Sequence, residues 1–220
     1  MRSSSRLLAV CLAVTLVVCT GGNDPVPVGQ RFPTAAEAPG SNPDPVETPV
    51  SSATLDEFVT DFTPALIDPD PEELKKVFGD ADFQKAGLRV RFFGQTHDAD
   101  NPQSHLFSWY VELGSEDGAT NALDYVEADA MKPCPQSCAA SVETFDVNGI
   151  PDARGVHRVA TEEAIANAGF PGEVPNESYL VGFTDGSVVY TLDLNGPPGS
   201  VSAEQAQRIA NAFYDRIAGD

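Results

Sequence analysis

Basic side chains are scarce in this chain: 13 Lys and Arg stand against 33 Asp and Glu, for a formal net charge of −20. A surface of that sign repels phosphates, which excludes nucleic acid as a partner, and it disfavours direct contact with anionic lipid headgroups. Histidine and cysteine are few as well. The three His (97, 105 and 157) and four Cys (11, 19, 134 and 138) fit no zinc or EF-hand spacing, so neither a metal nor another cofactor is expected. No nucleophile elbow, phosphate loop or His-Glu-x-x-His motif occurs. No apolar run reaches the ~20 residues that a bilayer-spanning helix needs. What the acidity does fit is the solvated coat of a secreted or salt-adapted protein.

The longest apolar run, Leu7 to Val18, is preceded by Arg2 and Arg6 and followed at once by Cys19-Thr20-Gly21-Gly22. A charged start, a short apolar stretch and small residues beyond it make 1–18 an export signal rather than an anchor. Two processing routes fit. Leu16-Val17-Val18-Cys19 resembles a bacterial lipobox, with Val18 larger than the small residue usual before the modified Cys. Lipid on Cys19 would hold the chain on the outer face of the cell membrane. Cleavage after Gly22 would instead release a secreted protein. Loss of 1–18 removes Arg2 and Arg6 and no acid, leaving 11 basic against 33 acidic side chains, a net of −22.

Pro at 25, 27, 33, 39, 43, 45 and 49, with Gly at 21, 22, 29 and 40, interrupts any periodicity up to residue 53. Such a composition buries too little apolar surface to offset its ordering entropy. Residues 19–53 therefore read as a disordered tether, and 54–220 as one domain.

From Thr54 the pattern is regular. Thr54 with Glu57 forms a capping box ahead of Leu55, Phe58, Val59 and Phe62. Asp70-Pro71-Glu72-Glu73 opens a second helix. Alternation marks strands around 88–92, 106–113, 141–147 and 155–160. Tyr179 to Phe183 and Val188 to Leu194 flank Asp185-Gly186, a hairpin signal. Helices are expected from Ser115 to Lys132, weakly over 162–168, and from Ser202 to Gly219. The sum is an α+β fold: an antiparallel sheet of about six strands with helices packed on it. The two longer helices share apolar positions (Ala119, Ala122, Leu123, Val126, Ala130 and Ala206, Ile209, Ala210, Phe213, Ile217) and each follows a strand carrying Tyr, which suggests a duplicated strand–strand–helix unit.

Few residues invite chemistry. In an oxidising compartment Cys134 and Cys138 are expected to form a disulfide. A redox pair is disfavoured, because the pair follows a helix C-terminus, whose dipole opposes a thiolate. His97, Asp98, Asp100 and His105 gather near one polar loop but in no metal-binding spacing. His157 reads as an ordinary surface or partly buried strand residue, and Trp109 and Tyr110 as sheet core. Asn176-Glu177-Ser178 is a glycosylation sequon, relevant only in a glycosylating host.

The layout of signal, Pro-rich tether and a domain ending in the hairpin–helix Phe183-Thr-Asp-Gly-Ser-Val-Val-Tyr190, Gly196-Pro-Pro-Gly199, Ala206 to Phe213 resembles exported lipoproteins of high-GC Gram-positive bacteria. More distantly it resembles the extracellular sensor domains of mycobacterial Ser/Thr kinases and PsbP-like domains. Those sensor domains typically hold two disulfides, whereas this chain has cysteines for one. The resemblance supplies no catalytic residue. It implies a non-enzymatic, membrane-tethered extracytoplasmic module that binds a small ligand or an envelope protein. The alternative is a secreted hydrolase of cell-wall or extracellular substrate using acids such as Asp98 and Asp100.

Overall fold

A computed structural model describes residues 28–43, 50–62, 70–93, 104–132, 139–167, 169 and 175–219. The helices start where their caps dictate. For α1 (Leu55–Phe62), the Glu57 N–H donates to Thr54 Oγ1 at 3.3 Å while the Thr54 N–H donates to Glu57 Oε2 at 3.2 Å. For α2 (Pro71–Asp80), Asp70 accepts from the Glu72 N–H. Ser115 and Ser202 cap α3 (Glu116–Ala130) and α5 (Ala203–Ile217) in the same way. Thr161 caps the short α4 (Glu162–Asn167).

Among the described residues eight strands form one antiparallel sheet: β1 (Ser41–Pro43), β2 (Val50–Ser52), β3 (Lys85–Phe93), β4 (His105–Glu112), β5 (Ser141–Thr144), β6 (Arg154–Ala160), β7 (Asn176–Asp185) and β8 (Val188–Gly196). Their order is β1-β3-β4-β8-β7-β6-β5, with β2 also on β3. The β7–β8 hairpin turns at Gly186, whose φ of +55° a residue with a side chain adopts only with strain. Both sheet faces are covered, as strands alternating between two cores require. Tyr110, Phe183, Tyr190, Leu192 and Leu194 pack on one face against Ile209, Ala210 and Phe213 of α5. Trp109, Val111 and Val189 pack on the other against α1, α2 and α3. The fold is therefore α+β, as the sequence predicts.

The structure departs from the sequence expectations in two places. First, the boundary at Thr54 falls inside the folded unit. Residues 28–43 and 50–52, assigned to the tether, lie on the sheet and supply its two additional strands, β1 and β2. Phe32 is fully buried, its ring edge-on to Tyr110 at 5.5 Å, with the Arg89 guanidinium 5.0 Å from its centre. Arg216 of α5 donates to the carbonyls of Gln30 (2.7 Å) and Phe32 (3.0 Å) and pairs with Glu37. Arg91 donates to Ser41 Oγ at 2.7 Å and to its carbonyl at 3.2 Å. Between its two short strands the segment is irregular, and arginines from the domain satisfy part of its backbone, so hydrophobic periodicity is silent about it. Residues 1–18, the proposed signal, and the remainder of the proposed tether, 19–27 and 44–49, lie outside the described residues.

Second, the two hairpin–helix units are not related by a rotation. Tyr110 and Tyr190 face each other at the centre of the β4–β8 pair, on one side of the sheet. A dyad there would place α3 and α5 on the same face, and they lie on opposite faces.

Gly87 sits where the N-terminal segment meets the sheet. A Cβ there would lie 2.6 Å from Tyr110 Cε1 and 3.0 Å from Phe32 Cζ. Gly87→Ala is expected to lower stability by about 1–3 kcal/mol through overpacking. Denaturant unfolding checks it, and an unchanged midpoint would show that the Phe32–Tyr110 contact yields freely.

Candidate functional site

Cys19, Asp98, Asp100, His97, Cys134 and Cys138 all lie outside the described residues. Trp109 and Tyr110 are core residues, one on each side of the sheet. His105 opens β4 rather than belonging to a loop, and His157 lies mid-β6.

The register gathers polar groups on the α3 face, at the end of the sheet where β3 finishes and β4 begins. Phe92, His105, Asn195, Ser178 and Arg158 form one row across β3, β4, β8, β7 and β6. The next row holds Val90, Phe107, Asp193, Leu180 and Val156, and Trp109 and Thr191 are neighbours in the third. The C-terminal end of α3 covers the β6–β7 side of this area, where Ala130 packs on Val156 and Leu180 and its carbonyl accepts from Arg158. Phe92, His105, Phe107 and Asn195 are only half-buried. Asp193 therefore stands where the part of the sheet under α3 gives way to side chains that are only partly buried.

Asp193 is the anomaly of this face. The residue as a whole is half-buried, yet its Oδ1 is shut off from solvent and has no hydrogen-bond partner among the described residues. Burial raises the Asp193 pKa above the usual carboxylate range, opposed in part by a hydrogen bond from Asn195 and by the charges of His105 and Arg158. Thr191 is fully buried two residues earlier on the same face, and its Oγ1 is likewise without a partner. Buried polar atoms ordinarily find partners, and leaving one unmade costs about 1–3 kcal/mol. Around Asp193 stand aromatic walls: the His105 ring meets Phe107 edge-on at 4.7 Å and lies 6.2 Å from Phe92. Such a carboxyl, held toward its neutral form, can accept from or donate to a polar group between apolar surfaces.

Sequence reasoning missed Asp193. The signal was present in Tyr190-Thr-Leu-Asp-Leu194, where two polar residues share one side of an otherwise apolar strand. Alternation alone assigns that side to solvent, whereas α3 and its neighbours cover part of it.

A second cluster lies on the opposite face, where Glu143, His157 and Tyr179 are cross-strand neighbours on β5, β6 and β7. Both ring nitrogens of His157 are bonded, Nδ1 to Glu143 and Nε2 to Glu177. Burial raises the Tyr179 pKa, and its hydrogen bond to Glu177 adds to this, pushing it up to about 12. Elsewhere, a solvent-open cleft of about 360 Å³ runs between α2 and α3 past Asp80, Ser115, Asp117 and Asn121. Among the described residues no helix is long and apolar enough to cross a membrane.

No protein family and no curated protein matches the chain. Among solved structures it is similar to the extracellular domain of PknH from Mycobacterium tuberculosis. The TM-score is 0.53 at 13% identity, covering 87% of this chain and 94% of that one. That likeness is one of fold. It agrees with the expected resemblance to mycobacterial kinase sensor domains at the level of architecture, and these comparisons add nothing for exported lipoproteins or PsbP-like domains.

Proposed function

We propose that the protein is a non-enzymatic extracytoplasmic binding module, tethered to the outer face of the cell membrane by lipid on Cys19, whose ligand site is the sheet margin around Asp193. The observation that carries the binding role is the closed-in Asp193 carboxyl with its unpartnered Oδ1, placed beside half-buried aromatic rings. A carboxyl enclosed beside aromatic ring edges favours a small polar ligand over a flat protein partner. Export rests on the apolar run before Cys19, and the fold shared with an extracellular domain is compatible with it.

The binding role is tested by titrating the isotope-labelled protein with small hydrogen-bonding probes, namely ethylene glycol, urea and methylammonium. Chemical-shift changes are expected to cluster at Asp193, Asn195, His105 and Phe107 and to vanish in Asp193→Ala. Changes scattered over the surface, or unaltered in the variant, would remove the site. The anchor is tested separately: Cys19→Ser should move the protein from the membrane fraction to the medium. Equal partitioning of the two forms would leave no place for a lipid.

A further inference from the structure

We propose that Glu143, His157 and Glu177 form a protonation-dependent clamp that holds edge strand β5 on the sheet and releases it as pH rises. The clamp is independent of the Asp193 site and lies on the opposite face. His157 Nδ1 is 3.0 Å from Glu143 Oε1, and its Nε2 is 2.9 Å from Glu177 Oε1. An ionised carboxylate only accepts hydrogen bonds, and a neutral imidazole carries a single N–H. Both contacts are therefore hydrogen bonds together only when the ring is an imidazolium. The ring also lies flat on the Tyr179 phenol, 4.3 Å away and 7° from parallel, a position that favours a cation over a neutral ring.

The two carboxylates are held unequally. Glu177 receives the Tyr179 hydroxyl at 2.7 Å and the Gly199 N–H at 2.8 Å besides the His157 ring. Burial acts to raise its pKa, but these donors outweigh it and hold the Glu177 carboxyl below the usual range. Glu143 is 70% exposed, and His157 is the partner the sheet gives it. When the ring loses one proton, the remaining N–H stays with the better-anchored Glu177. The Nδ1 lone pair then faces the Glu143 carboxylate, and that contact turns from attractive to repulsive.

Strand β5 is held by its ladder to β6, by Val142 against Ala130, Val156 and Leu180, and by Phe145 edge-on to Tyr179, and the Glu143–His157 contact adds to these. It is four residues long, ends the strand order, pairs with β6 and buries none of its side chains fully. Backbone bonds flank it, from the Ala140 N–H to Val159 O and from the Phe145 N–H to Gly155 O. The groups facing the ring are Glu143 from β5, Glu177 and Tyr179 from β7 and, through Glu177, the Gly199 N–H of the β8–α5 turn. Tyr179 titrates near 12 and Glu177 below the usual carboxylate range. An imidazole is the side chain whose charge ordinarily changes between about pH 5 and 8. Release of β5 would bare the β6 edge, a row of unpaired backbone groups able to receive another strand.

Hydrogen exchange of the Ala140 and Phe145 amides, corrected for intrinsic rates, tests the clamp at about pH 5.5 and pH 8. Loss of one charge-assisted bond to a largely exposed carboxylate should lower their protection about two- to fivefold at the higher pH. The Leu113 amide, bonded to Ser187 O in a distant turn, should not change. In Glu143→Gln the amide side chain can donate to the neutral ring, so protection should be equal at both pH values. An unchanged protection in the wild type, an equal fall in Glu143→Gln, or a parallel fall at Leu113 would each overturn the proposal.

Discussion

A chain that begins at Thr54 is expected to be largely unfolded at room temperature, although sequence patterning places the domain's start there. Its loss would strip Phe32 and Ala38 from the core that contains Tyr110, Phe183 and Phe213. It would also take Ser41 from Arg91, a buried arginine whose pKa burial already lowers, and Glu37 from Arg216. Removing the Phe32 ring alone should cost about 3–5 kcal/mol, a large part of the 5–15 kcal/mol typical of a whole domain. Phe32→Ala in the full chain isolates that contribution from the loss of β1 and β2. Urea unfolding of the wild type, the variant and the shortened chain should give midpoints falling in that order. Coincident midpoints would mean that residues 28–52 merely rest on a domain complete without them.

Asp193→Asn is expected to make the protein more stable at neutral pH, by about 1 kcal/mol or more, because an ionised buried carboxylate short of a partner is costly. The sign follows from linkage. Burial raises the folded-state pKa of Asp193, so folding favours the protonated form. The stability this provides is complete below the unfolded value of about 3.9 and is lost as pH climbs toward the folded value. Wild type and variant should therefore unfold alike near the acid end, with the gap opening as pH rises through the carboxylate range and then levelling off. A gap that stays constant with pH would show that Asp193 titrates as it does in the unfolded chain. A destabilising carboxyl beside the buried Thr191 is a feature that folding does not require, which is the ground for the proposed binding role.

The sheet, the caps and the hairpin were legible because each rests on local chemistry: alternation at Leu88, Val90 and Phe92, side-chain oxygens at Thr54, Ser115 and Ser202, and glycine at the turn. The segment around Phe32 was not legible, since one aromatic among prolines gives no period and its backbone partners are arginines 50 to more than 180 residues away. Nor was the candidate site. Asp193 and Asn195 occupy positions that would be solvent-facing on a one-sided sheet, and only the placement of α3 turns one of them inward. His157 was expected to be a surface or partly buried strand residue and is a partly buried one, but its two carboxylate partners come from strands on either side, a pairing no single segment encodes.

The most direct test of the Asp193 site is a high-resolution crystal structure of the protein isolated from its native cells. Density for a non-protein molecule is expected beside Asp193, with a polar atom at hydrogen-bonding distance from Oδ1. A carboxyl capped by one of the chain's own side chains, or facing nothing but a lone water, would contradict it.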